Sequence, residues 1–377
     1  MTAGTQRIPV KLLLGIGFGM FLGVLSANSI PVLIGALIDG LAVNEAEVGL
    51  LGTVELLAVA LGALAATPMA GKVSNRRLAV FGCLLAITAQ FLSAAAGSLY
   101  LLAGLRIIAG AGLGLAYAAA AMAAAATANP DRVLGYSVTA GLLAIVVLLP
   151  GFAMVVAAAG YKGGYVALGL LVIFLLPVMG WLDPGQARPA GPGTAPTLPA
   201  RSLAGLLLCI ALFNIGSGAI WSFSERIGRQ AGLTLEEAGF IIATGAFSGV
   251  AGSLLAAWLG DRWERRRPVI LALIMAGLGY MVMSGATDRM SYIAGVNIYW
   301  VTYMFLLPLM IGAGAAMDAG GRAATLAAGT ISLTFALGPA CGGYIAAWFS
   351  YGAIGWFSCA LCVLAALAFI LVRPVDG

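Results

Sequence analysis

The sequence predicts an all-α integral membrane protein with twelve transmembrane helices in two six-helix bundles, and three observations predict it. Of the 377 residues, 62% are hydrophobic and only 9% charged, with a mean hydropathy of +1.05. A soluble domain carries about 25% charged residues. Apolar runs able to cross a bilayer, about 20 residues each, recur at 12–36, 47–69, 78–97, 99–127, 133–158, 164–182, 203–224, 237–259, 269–286, 291–316, 323–348 and 351–372. No run alternates apolar and polar residues in the short strands of an outer-membrane barrel.

The first run follows Arg7 and Lys11. It is too long for a signal-peptide core and has no small-residue cleavage site before Asn28, so it reads as a spanning helix. With the N-terminus inside, 14 of the 19 Lys and Arg residues fall on the cytoplasmic side, among them Lys72, Arg76, Arg77, Arg265 and Arg322. Lys162, Arg226, Arg229 and Arg289 fall outside, and Arg106 lies within the membrane. This asymmetry follows the positive-inside rule and places both termini in the cytoplasm. The net charge of +5 is thus an orientation signal. Basic residues dispersed over loops, without interleaved aromatics, do not describe a nucleic-acid surface.

The two halves repeat one design. Glu47 and Glu237 lie 190 residues apart, as do Arg132 and Arg322, while Pro150 and Pro339 lie 189 apart. Asn75-Arg76 recurs as Asp261-Arg262. Each pair sits at the same place in its half, so the expected bundles are residues 1–182 and 203–377, related by an axis along the membrane normal. The intervening segment 183–202, with five prolines and three glycines, reads as a cytoplasmic linker.

Glu55 and Arg106 stand out as charges kept inside apolar runs. Such groups are costly in lipid and mark bundle interiors or solute paths. Glu55 lies eight positions past Glu47, and Arg106 eight past Ser98. At about 1.5 Å per residue both sit roughly 12 Å below their helix starts, which suits an ion pair, direct or bridged across a cavity. The plainer alternative is a clamp that merely joins the second and fourth runs. Cys83, Cys209, Cys341, Cys359 and Cys362 fall in apolar runs and read as small fillers. There is no histidine, which removes imidazole relays and haem ligation. No cofactor or metal is expected.

The chain resembles the major facilitator superfamily of secondary transporters over its whole length. The residues that carry the resemblance are two loop motifs and three helix motifs. The loop motifs are Asp261, Arg262, Glu264, Arg265, Arg266 and Arg267, and a shortened copy with Gly71, Lys72, Asn75, Arg76 and Arg77. The fourth run carries Arg106, Gly110, Gly112 and Gly114. The fifth retains only Pro150-Gly151, whereas the eleventh carries Gly338-Pro339-Ala340-Cys341-Gly342-Gly343.

The resemblance implies that the loop motifs act as a cytoplasmic gate. Asp261 and, more weakly, Asn75 would face helix N-termini, where partial positive charge gathers, with Arg76 and Arg262 beside them. It also implies that the first, fourth, seventh and tenth runs line the path. Asn28, Asn214, Asn297, Trp300 and Tyr303 then join Arg106 as substrate contacts, since asparagine in a bilayer needs partners. Tyr299 and Tyr303 share a helix face. Tyr292, near a helix end, reads as an interfacial aromatic. Glu55 and Asp39 are the candidate proton carriers. Glu225-Arg226 reads as solvated rim charge or as an outer gate.

The expectation is an alternating-access, proton-coupled symporter of a small, anionic, amphipathic organic solute. It would work as a monomer among the lipids of a bacterial inner membrane. A multidrug or metabolite efflux antiporter is the alternative, disfavoured by the eroded fifth-run motif. A membrane enzyme would need a catalytic cluster that the sequence lacks. A channel or receptor would not need a two-fold repeat with gating motifs.

Overall fold

A computed structural model describes residues 9–127, 129–182, 200–259, 266–317 and 322–372. Among these residues the long elements are all α-helices. They are α1 Val10–Leu41, α2 Glu45–Ala66, α3 Asn75–Ala95, α4 Leu99–Ala125, α5 Pro130–Met179, α6 Ala200–Ser222, α7 Ser224–Gln230, α8 Leu235–Leu259, α9 Arg266–Ser284, α10 Arg289–Met317, α11 Arg322–Trp348 and α12 Tyr351–Phe369. All but the seven-residue α7 are long and apolar enough to cross a membrane.

These eleven helices make twelve crossings because α5 is two helices joined at a kink. Gly160 sits there with φ 63° and ψ −164°, a left-handed conformation that costs glycine little and other residues more. The sequence places its fifth and sixth runs on either side of this residue. The short α7 was not anticipated. The chain leaves helical geometry at Phe223 (φ −105°, ψ 11°) and starts again at Ser224.

Two capping boxes support the internal repeat. At the start of α2, Glu47 N donates to Asn44 Oδ1 and Asn44 N donates to Glu47 Oε2, both at 2.9 Å. Before α8, Glu237 N donates to Thr234 Oγ1 at 3.2 Å and Thr234 N donates to Glu237 Oε2 at 3.0 Å. Each box satisfies two backbone donors that the first helical turn leaves open. Glu47 and Glu237 therefore do the same work at matched positions.

The chain divides into two compact units, Met1–Ser29 with Val54–Ala190, and Ile30–Thr53 with Gly191–Gly377. In the first, the glycines of α4 set how closely its neighbours approach. A Cβ on Gly110 would meet the carbonyl of Glu55, and one on Gly114 the carbonyl of Val59, both in α2. A Cβ on Gly112 would meet Gly82 in α3. Alternate glycines thus serve two neighbouring helices, because small residues allow close backbone packing in lipid.

In the second unit, the tip formed by the end of α1 and the start of α2 is seated on α11. Gly49 lies against the carbonyl of Pro339, and Gly343 against that of Glu45. Ala340 N donates to Thr53 Oγ1 at 2.9 Å. The eleventh-run Gly-Pro motif is the seat of this hairpin, and Pro339 lies inside α11 as Pro150 lies inside α5.

Gly112→Ala is expected to lower the thermal unfolding midpoint in detergent, since overpacking costs about 1–3 kcal/mol. At Gly104 a Cβ meets nothing within 4 Å. Gly104→Ala should therefore leave the midpoint unchanged or raise it, because alanine is better than glycine in a helix by about 1 kcal/mol. Equal effects at the two positions would show that α4 is not packed through Gly112.

Candidate functional site

In the first unit Arg106 of α4 is fully buried, and three other helices, α2, α3 and α5, contact it. Its Nη1 donates to Gln90 Oε1 at 3.0 Å. Its Nη2 donates to Ser93 Oγ at 2.5 Å and to the Ala89 carbonyl at 3.3 Å. Glu55 Oε1 stands 3.5 Å from Nη1 and accepts from Ser26 Oγ at 2.7 Å. The guanidinium lies 4.3 Å from the ring centroid of Tyr165, within cation–π range. Glu55 is 4% exposed.

The structure therefore brings Glu55 and Arg106 together. It also adds Ser26, Gln90, Ser93 and Tyr165, which sequence reasoning missed. Gln90 and Ser93 are one turn apart on an apolar helix, the only available hint. The cost of a buried charge is offset here by charge-assisted hydrogen bonds and an ion pair. Gln90 Nε2 and Arg106 Nε remain without a hydrogen-bond partner, so the network holds spare donors.

The second unit contains a second charged cluster. Asp39 accepts from Arg226 Nη2 at 2.6 Å and from Arg229 Nη1 at 2.7 Å, and its side chain is 51% exposed. Arg226 Nη2 also donates to the Gly35 carbonyl at 2.9 Å. Glu225 is 0% exposed, so it is not a solvated rim charge. Tyr292 is fully buried as well, rather than interfacial. Its hydroxyl donates to the Ser224 carbonyl at 2.8 Å, near the break between α6 and α7.

The path candidates of the second unit separate into two faces of α10. Tyr303 stacks on Tyr299 at 5.6 Å and on Phe213 at 5.8 Å. Its hydroxyl donates to Asn214 Oδ1 at 3.4 Å, while Asn214 Nδ2 donates to the Ile210 carbonyl. Trp221 stacks on Tyr299 at 5.1 Å. Trp300 and Asn297 instead turn towards α8. The Trp300 indole donates to the Ile242 carbonyl at 3.0 Å, and Asn297 bonds Ser248 and the Ile293 carbonyl.

In the first unit, Asn28 is half-buried and donates to the Val24 carbonyl at 2.8 Å. With Ser29, Leu25 and Leu148 it lines a cavity of about 370 Å³. A larger hollow of about 740 Å³ is lined by Lys11, Arg76, Arg77 and Trp181. Ser74, not Asn75, caps α3, its Oγ accepting from Arg77 N at 3.3 Å. Asn75 is the first helical residue and is buried. Asp261 and Arg262 lie outside the described residues.

A multi-pass helical fold with a buried ion pair among its spans defines the class, a polytopic membrane protein. Residues 16–319 and 206–377 match the sequence model of the Major Facilitator Superfamily, and the chain belongs to that family. Its fold is similar to that of a D-xylose-proton symporter, with a TM-score of 0.74 and 14% identity over 98% of each chain. It is also similar to the nucleoside transporter NupG, with a TM-score of 0.74 and 12% identity over 97% of this chain and 100% of that one. No curated protein sequence matches it.

Arg106→Met is expected to cost about 3–5 kcal/mol, the usual penalty for stranding one member of a buried pair. Adding Glu55→Gln should recover part of that loss, because the stranded charge is removed. Denaturant unfolding of the single and double variants checks this. Strictly additive losses would mean that the two side chains are energetically independent.

Proposed function

We propose that the protein moves a small organic anion with an apolar body across a bacterial inner membrane by alternating access, driven by protons. The observation that carries this reading is the buried contact between Glu55 and Arg106. A substrate carboxylate that captured Arg106 would release Glu55 to take a proton, and two ligands coupled in this way assist each other reciprocally. Likeness in fold to a D-xylose-proton symporter supports the choice of ion. The stacked aromatics around Tyr299 and Tyr303, with Asn214 beside them, suit an apolar solute that carries a hydrogen-bonding group.

On this reading Asp39 is an anchor rather than the proton carrier, because two arginines hold it. Asn297 and Trp300 support α10 against α8, and Asn28 contributes from α1. Asn75 and Arg76, with Asp261 and Arg262, form the cytoplasmic gate. The α1–α2 tip lies on the outer side, both termini are cytoplasmic, and the working form is a monomer in lipid.

Thermal-shift screening of organic anions and neutral metabolites should identify a ligand, since binding to the native state alone raises its apparent stability. Arg106→Lys should then bind that ligand poorly, because the bidentate fork is lost. Glu55→Gln should keep binding and exchange in proteoliposomes but lose accumulation driven by a proton gradient. If Glu55→Gln still concentrates the solute, the coupling group lies elsewhere. Ligands that are all neutral would remove the anionic reading.

A further inference from the structure

Glu225 is the one carboxylate in the described hairpin cluster that neither water nor a hydrogen-bond donor satisfies. It is 0% exposed, and neither Oε1 nor Oε2 has a hydrogen-bond partner. Its nearest cation is Arg229, whose Nε stands 3.9 Å from Oε1. Arg229 Nη1 is already bound to Asp39, and so is Arg226 Nη2. The carboxyl is pressed against the backbone of α1, where a Cβ on Gly35 would overlap Oε2.

We propose that Glu225 is a proton-binding site whose occupancy decides whether the α1–α2 tip stays seated on its unit. With the proton bound, the side chain is a neutral group under Gly35, and Asp39 keeps both arginines. Without it, an ionised carboxylate is enclosed with no donor, an arrangement that is costly in an apolar interior. The charge is relieved when Arg229 turns from Asp39 to Glu225, or when the tip lifts and water enters. Either route weakens the clasp between α1 and α7.

The charged and titratable groups around Glu225 frame this balance. Arg226 and Arg229 on α7 favour its ionised form, and Asp39 on α1 opposes it. Tyr292 on α10 lies within electrostatic reach, as does Tyr351 on α12, whose hydroxyl donates to Glu45 Oε1 of α2 at 2.9 Å. Burial outweighs the arginines and pushes the Glu225 carboxyl from 4.5 up to about 7. The sign follows from linkage. The seated tip binds the proton more tightly than the lifted tip, so protonation favours seating. That stabilisation is complete below about 4.5 and is lost progressively as the pH rises to about 7.

The idea deepens the proton-driven reading by naming an outer protonation site, but its test needs neither substrate nor transport. Amide hydrogen exchange of segment 30–53 would be followed on the purified full chain in nanodiscs between about pH 5 and pH 9. Rates would be expressed as protection factors to remove the intrinsic pH dependence. The wild type should lose protection roughly thirtyfold between about pH 5 and pH 7, then level off. Glu225→Gln should stay protected throughout.

A flat wild-type profile, or a Glu225→Gln profile that matches the wild type, overturns the proposal. Should Glu225→Gln fail to fold, Arg229→Gln serves instead. It removes a cation that favours the ionised carboxylate and leaves Arg226 on Asp39, so the levelling-off point should move to higher pH. An unmoved profile overturns the proposal equally. Because no solute is present, loss of the anion reading would leave this result standing, and the reverse also holds.

Discussion

A guanidinium cannot be carried into an apolar protein interior unless most of its donors find acceptors, and the first unit is arranged around that constraint. Arg106 has five N–H groups and a charge that no neighbouring apolar helix can satisfy. Gln90, Ser93 and the Ala89 carbonyl come from α3, Glu55 from α2 and the Tyr165 ring from α5. Ser26 of α1 completes the set through Glu55. The glycines of α4 make this possible. Gly110, one turn beyond Arg106, brings α4 against the Glu55 backbone, and Gly112 brings it against α3. Larger residues at those positions would hold the acceptors out of reach.

The second unit solves a different problem, that of holding a helical hairpin with little apolar side-chain volume. Backbone meets backbone where Gly49 lies on Pro339 and Gly343 on Glu45. Proline has no N–H to offer its own helix, and the N–H of the next residue, Ala340, reaches Thr53. Around this tight contact the charges provide direction. Asp39 and Gly35 face α7, while Glu45 faces Tyr351 of α12. Close glycine packing supplies fit, and the polar contacts fix register.

The helices were legible in the sequence because lipid demands long apolar runs, and Gly160 falls where two runs part. The ion pair was legible because charges within such runs are scarce and the two were equally deep. Its partners were not. Gln90 and Ser93 become significant only once α3 and α4 are packed, and a tyrosine in an apolar run does not declare that it will sit beneath a guanidinium. The solvated reading of Glu225 failed for a related reason. A carboxylate just past the end of a run looks solvated, but the extra helix α7 and Gly35 of α1 enclose it. Tyr292 was misread in the same way, since the acceptor for its hydroxyl appears only where α6 breaks. The cap of α3 was equally hard to place, since the helix starts at Asn75, one residue earlier than a cap there would require, and Ser74 performs that role.

The two buried carboxylates differ in a way that follows from counting their partners. Glu55 has an arginine and a hydroxyl committed to it. Glu225 sits in a cluster with two arginines and two acids, which is balanced in charge when all are ionised. The geometry nevertheless commits both arginines to Asp39, which is half exposed and needs them less. Asp39 reaches them because it lies on the tip that α11 holds in place. Lifting that tip would remove the competing acid and free the arginines in one motion. The charge arrangement around α7 is thus a function of where the α1–α2 tip lies, and a proton on Glu225 is the smallest ligand able to bias it.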